Sequence, residues 1–295
     1  MSVSVSVHTF GCECALKFLL LRAIMKECAR PYYLLDGEVR ECPSFDENLV
    51  HKGTSLYEVV RLVEGRFLFL EDHINRLFNS LNISGIKSWI TTAGINDILQ
   101  ILLEKNKISE GNIKIVMNLQ KDGSKHFLAY FVYHRYPSSR DYNQGVRVIS
   151  YPFERIDPNK KIWRPEFRRH VADKLYDAGA FEALLMDSGK NITEASKANV
   201  FGIQGGHIIT PPETIVLPGI TRHYVLEICR DLSLKVTRKK IPFDEIPGLE
   251  GLFLTGTSLH VLPVSTVNDH PLPVNHPVMT GIMDNFQEVI NKHLN

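Results

Sequence analysis

The chain has 295 residues, of which 44% are hydrophobic and 23% charged, and its 34 basic and 33 acidic side chains leave a net charge of +1. This is globular composition at a length that suits two domains. The even charge balance gives no sign of a basic nucleic-acid groove or of a strongly acidic partner.

Five cysteines are present, four of them within the first 42 residues. Cys12-Glu13-Cys14 lacks the two-residue gap of zinc and redox pairs. They read as reduced thiols of a cytoplasmic protein, with no metal site. The apolar run from Cys14 to Met25 is broken by Lys17 and Arg22. It is too short to span a bilayer and lacks a signal-peptide cleavage pattern. Met25 is a candidate start, residues 1–24 are expected to be peripheral, and residues 1–29 are assigned to an N-terminal extension.

Tyr32 to Leu35, Asp36-Gly37 and Glu38 to Arg40 predict a hairpin on a type I′ turn. Ser55 to Val63 predicts a strand that places Tyr57 in a sheet, with Glu64-Gly65 turning it and Arg66 to Leu70 returning. A helix follows from Glu71, with Ile74, Leu77, Phe78 and Leu81 as its apolar stripe and Arg76 on a solvated flank. Ala93 to Glu104 predicts a second amphipathic helix, and Ile113 to Leu119 and Phe127 to Tyr133 two further strands. Hairpins with helices make an α+β pattern. The polar run from Tyr136 to Asp141 marks a boundary, giving a small N-terminal domain over residues 30–137 and a larger C-terminal one over 138–295.

In the second part, Val146 to Tyr151 predicts a strand, and a lysine-bearing segment leads into a helix from about Glu166 to Asp177, opened by Pro165 and ended at Ala178-Gly179. Ala183 to Met186, Ala198 to Phe201, His207 to Thr210 and Leu252 to Leu254 read as strands. A helix after Arg222 turns Val225, Ile228, Cys229 and Leu232 inward, and a last one carries Ile282, Phe286, Val289 and Ile290.

Lys161 ahead of a helix and Glu194 between strand-like pieces are the two groups a pyridoxal phosphate enzyme must supply: a Schiff-base lysine and an acid for the ring nitrogen. Gly219-Ile220-Thr221 at a helix N-terminus offers free N–H donors and a hydroxyl for a phosphate, and Gly256-Thr257-Ser258 offers a second cup.

Taken in order, Leu56-Tyr57-Glu58-Val59, His73 to Leu77, Lys161, Thr193-Glu194 with Asn199-Val200-Phe201, Leu217 to Arg222 and Thr255-Gly256-Thr257 resemble the class IV, fold-type IV pyridoxal phosphate enzymes. That family includes branched-chain aminotransferases, D-amino acid aminotransferases and aminodeoxychorismate lyases. The resemblance spans about residues 30 to 270 and implies the two-domain, mixed α/β architecture of fold-type IV. It makes Lys161 the Schiff-base lysine, with Lys160 as its rival, and Glu194 the partner of the ring nitrogen. Arg76 becomes the phosphate arginine in place of a solvated flank. Ile220, Thr221 and Thr257 become phosphate contacts, and Tyr57 is similar to a tyrosine beside the substrate.

The implied activity is transamination between an amino acid, branched-chain-like by expectation, and a 2-oxo acid, with pyridoxal 5′-phosphate as cofactor. A homodimer is implied, with active sites near the subunit interface. A lyase and a non-catalytic relative are the alternatives. Deprotonation of Lys161 would be helped by burial and nearby positive charge, with Arg164, Arg168 and Arg169 as candidates. The family's glycine-rich run before the tyrosine strand is missing, since residues 47–54 read Glu-Asn-Leu-Val-His-Lys-Gly-Thr. The Arg-x-His pair of the D-amino acid aminotransferases is absent from Asn118 to Arg135.

Overall fold

The computed structural model describes residues 27–294. Residues 1–24, expected to be peripheral, and with them Cys12 and Cys14, lie outside the described residues. Residues 27–29, assigned to that extension, instead belong to the body: Cys28 is buried and bridged to Val132, and the Ala29 N–H donates to the Phe131 carbonyl at 2.8 Å. They cover backbone on a strand edge that would otherwise stay unpaired.

The first sheet has six strands: β1 (Tyr32–Leu35), β2 (Glu38–Glu41), β3 (Thr54–Val63), β4 (Arg66–Phe67), β5 (Gly111–Leu119) and β6 (Lys125–Val132), in the order β2-β1-β6-β5-β3-β4. Asp36 and Gly37 have φ of 54° and 88°, as a type I′ turn demands. Alternation along β3 sends Leu56, Glu58, Val60 and Leu62 to one face and Tyr57 to the other. On the first face, α1 (Leu70–Ile83) and α2 (Thr92–Asn106) bury Ile74, Leu77, Leu81, Ile95, Leu99 and Leu102 against it. Thr91 caps α2 by accepting the Gly94 N–H at 3.1 Å. The returning strand is shorter than expected. It stops at Phe67, Phe69 turns left-handed at φ 54°, and Leu70 already opens the helix. Tyr133 lies past the end of β6 and is exposed.

The second sheet has ten strands: β7 (Val146–Pro152), β8 (Glu182–Met186), β9 (Asn191–Ala195), β10 (Asn199–Gln204), β11 (His207–Thr210), β12 (Val236–Arg238), β13 (Ile241–Pro242), β14 (Gly251–Gly256), β15 (His260–Val267) and β16 (His270–Pro271). Its main path runs β12-β11-β10-β14-β15-β7-β8-β9-β13, with β16 on β15. A short α3 (Ser139–Gln144) precedes it, held by a capping box between Ser138 and Asp141. Helices α5 (Ile220–Asp231) and α6 (Pro277–Leu294) cover one face through Val225, Ile228, Ile282 and Phe286, against Phe201 and Phe253. Leu232, expected inside, is the exposed C-cap of α5. Strands β7 and β8 are parallel neighbours, so the chain must cross over between them. That crossover holds Lys161 and α4 (Pro165–Asp177), whose Phe167 and Val171 pack on Ala183 and Leu185.

Candidate active site

Near Tyr57, β3 has an edge that β4 does not reach, because β4 pairs only with Leu62 and Val63. The crossover segment fills it. Lys161 O accepts the Tyr57 N–H at 3.0 Å, and the Trp163 N–H donates to Ser55 O at 2.9 Å. This short antiparallel bridge, Leu56 to Ile162, fixes the lysine between the two sheets. The Lys161 ammonium lies 5.2 Å from the centre of the Tyr57 ring. Lys160, the rival, points elsewhere and pairs with Asp157 at 3.4 Å. Burial lowers the pKa of Lys161, and the Arg76 charge and then Arg168 add to it against the pull of Glu58 and Tyr57. Of the three arginines expected to contribute, Arg168 does so. Arg164 is spent on the Ile156 carbonyl at 2.9 Å, and Arg169 is exposed.

Arg76 is buried, contrary to its reading as a solvated flank. The cause is Glu58, fully buried on the helix-facing side of β3. Arg76 Nε donates to Glu58 Oε1 at 2.7 Å and Nη2 to Oε2 at 2.6 Å, while His73 Nδ1 lies 2.8 Å from Oε2. Burial alone would raise the Glu58 pKa, but Arg76, Lys161 and these hydrogen bonds hold it well below the carboxylate range. Arg76 Nη1 donates to Pro218 O at 2.9 Å, which places the guanidinium beside the loop that opens α5. Three of its five N–H groups are used, so two can still meet an anion.

That loop is built for close approach. A Cβ on Gly219 would fall 2.0 Å from Asn199 Oδ1, and Asn199 holds Leu217 O through Nδ2 at 2.9 Å. Gly219 caps α5 without a side-chain bond, so the N–H groups of Ile220 and Thr221 open the helix. Thr221 is buried, and Arg222 ties the helix start down through Pro211 O and Glu213. Thr255, the register partner of Asn199, has a buried hydroxyl with no hydrogen bond among the described residues. Thr257 stands two residues on, in the turn beyond β14. A cavity of about 450 Å³ lies past this turn, walled by Arg61, Tyr136, Ser258 and Phe286, and Lys161 is not on its lining.

Glu194 sits within β9 instead of between strands. Arg155 Nε donates to its Oε1 at 2.6 Å, and the Leu217 N–H to its Oε2 at 3.2 Å. Burial pushes its pKa up, against Arg155 and that N–H. On the far side, Arg168 donates to the Tyr57 hydroxyl at 2.9 Å and to Ser196 O at 2.8 Å. Burial would raise the Tyr57 pKa, but Arg168, Lys161, Lys114 and Arg155 together bring it down to about 7.

The structure thus gathers Tyr57, Arg76, Lys161, Glu194, Ile220 and Thr221, while Thr257 stands in the turn that follows β14. Glu58, Arg155 and Arg168 complete the arrangement. Sequence reasoning gave Glu58 and Arg155 no role, and gave Arg168 only a share in the local positive charge. For Glu58 a signal existed, since it is an acid in the middle of an apolar strand. The unpaired N–H groups at the start of α5, the Thr255 hydroxyl and the two free Arg76 donors fit a phosphate ester.

The same two-sheet fold occurs in a T.th. branched-chain amino acid aminotransferase solved with pyridoxamine 5′-phosphate, which matches with a TM-score of 0.79 at 20% identity over 90% of this chain and 96% of that one. The family model for amino-transferase class IV matches residues 55–267, and the chain belongs to that family. Among its relatives, a D-alanine aminotransferase of Bacillus licheniformis is 26% identical over 79% of this chain and 88% of its own length. A branched-chain-amino-acid aminotransferase of Pseudomonas aeruginosa is 27% identical over 74% and 78%.

Proposed function

We propose that this class IV aminotransferase binds pyridoxal 5′-phosphate and moves the amino group of a branched-chain-like amino acid to a 2-oxo acid. The observation that carries the reading is Lys161, a lysine of lowered pKa placed between Tyr57, the Arg76–Pro218 contact and Glu194. Bound there, the cofactor would supply an electron-accepting ring that makes the substrate Cα proton acidic. Arg76, the first N–H groups of α5, Thr221 and Thr257 would hold its phosphate. Glu194, oriented by Arg155 and Leu217, would hold its ring nitrogen.

The Lys161 amine takes and returns the Cα proton, and its lowered pKa suits that work near neutral pH. Tyr57 and Arg168 present a hydroxyl and a cation to the substrate carboxylate. We also assign the domains to residues 30–137 and 138–295, a division supported by the two separate sheets. A cytoplasmic homodimer with sites near the subunit interface is the assembly that the family resemblance favours.

The test is a visible spectrum of the full chain incubated with pyridoxal 5′-phosphate, read before and after a panel of L- and D-amino acids. A cofactor band that disappears with leucine, isoleucine or valine of one hand, with release of the matching 2-oxo acid, is expected. No band overturns cofactor binding. A band that yields only elimination product replaces transamination by the lyase reading.

A further inference from the structure

Arg76 and the start of α5 belong to different helices, and a phosphate held by both needs them at one fixed spacing. Arg76 Nη1 meets the α5 entry at Pro218 O, 2.9 Å away. A second contact stands one helical turn further along each element. Asp72 lies one turn before Arg76 on α1, and Tyr224 lies one turn after Ile220 on α5, so each shares a helix face with a phosphate contact. The Tyr224 hydroxyl donates to Asp72 Oδ2 at 2.8 Å.

Tyr224 is itself held in place. Its ring tilts against that of Phe69, with centroids 4.4 Å apart. Phe69 is buried, and its N–H donates to His293 Nε2 at 3.0 Å. Phe69 is also the left-handed residue that opens α1, so Tyr224 touches the point where that helix begins. Asp72 sits in the first turn of α1, where a carboxylate suits the helix dipole. Burial and then the Asp72 carboxylate push the Tyr224 pKa well up, so the phenol keeps its proton and stays a donor.

We propose that Tyr224 is a positioning residue for the cofactor phosphate: its bond to Asp72 ties α1 to α5, so that the Arg76 guanidinium and the first N–H groups of α5 converge on one anion. Without that hydroxyl, the spacing of the two helices rests on apolar packing and on the Pro218 contact. Lys161 on the crossover segment and Glu194 on β9 serve the ring from other elements, so the loss falls on the phosphate. The inference deepens the aminotransferase reading and rests on it for what the cup holds.

Pyridoxine 5′-phosphate and pyridoxine differ by the phosphate, and neither has an aldehyde, so neither forms an imine with a lysine. Their dissociation constants for the cofactor-free full chain are read from ligand fluorescence. Wild type is expected to prefer the phosphate ester. Tyr224→Phe is expected to weaken the ester about fivefold and to leave pyridoxine within a factor of about two. Asp72→Ala is expected to match that loss, and Tyr224→Phe with Asp72→Ala to add nothing further. Asp72→Asn is expected to keep the affinity, because its carbonyl still accepts the hydroxyl. An unchanged ester constant in Tyr224→Phe, equal weakening of both ligands, or losses that add in the double variant each overturns the proposal. If Asp72→Ala does not fold, Tyr224→Phe against Asp72→Asn decides. Equal binding of the two ligands by wild type would remove the phosphate cup and the proposal with it. A chain whose Lys161 formed no imine would still give these constants, so the two readings fail separately.

Discussion

Glu58 has no exposed surface, and both of its oxygens are committed to Arg76 and His73. Removing one partner of a buried ion pair strands the other. Glu58→Ala is therefore expected to destabilise the fold by about 3–5 kcal/mol in urea unfolding. A loss under about 1 kcal/mol would show that Arg76 does not depend on it. Tyr57 offers a pH test at the same scale. Its folded pKa of about 7 lies below the ordinary value of 10. Between those values the folded chain holds less of this proton than the unfolded chain does. Its contribution to stability is absent below pH 7, grows as pH rises toward 10, and is lost as pH falls back through 7. In the cofactor-free chain, an ultraviolet titration is expected to show one of ten tyrosines ionising near pH 7. Tyr57→Phe should abolish that step and Arg168→Met should move it upward. A step unchanged in Tyr57→Phe would assign it elsewhere.

The start of α5 shows how an element makes a site from packing. Gly219 is needed for space and not for its dihedral, since its φ is −70° and Asn199 Oδ1 occupies the place of a side chain. Gly219→Ala is expected to cost about 1–3 kcal/mol and to weaken pyridoxal phosphate binding in the same variant, read by melting and by cofactor titration. Unchanged stability and affinity would mean that Asn199 moves aside freely. Elements of this kind were legible in the sequence where local pattern decides them: the Asp36-Gly37 turn, the apolar stripes of α1 and α2, and the Pro-Gly entry to α5. The misses are places where distant partners decide. Arg76 reads as a flank residue until Glu58, on another element, takes it inward. Glu194 reads as lying between strands because β9 is completed by pairing with β8 and β13. Phe69 cuts the return of β4 short through a left-handed turn that no periodicity signals. The hold of Arg155 on Glu194 and of Arg168 on Tyr57 was illegible for the same reason, since those partners lie 39 and 111 residues away.

Across the whole molecule, the site draws on both sheets at once. Tyr57 comes from the first and Arg76 from helix α1 packed on it, while Glu194 and the α5 loop come from the second. Lys161 rides on the connection between β7 and β8 that crosses to the edge of β3. The account therefore requires that the lysine held at that seam, and not its neighbour, carries the cofactor. The direct measurement is borohydride reduction of the full chain after incubation with pyridoxal 5′-phosphate, then peptide mass spectrometry. Cofactor mass fixed on Lys161, retained in Lys160→Ala and lost in Lys161→Ala, is the expected result. Mass fixed on Lys160, or no stable incorporation in wild type, would contradict it.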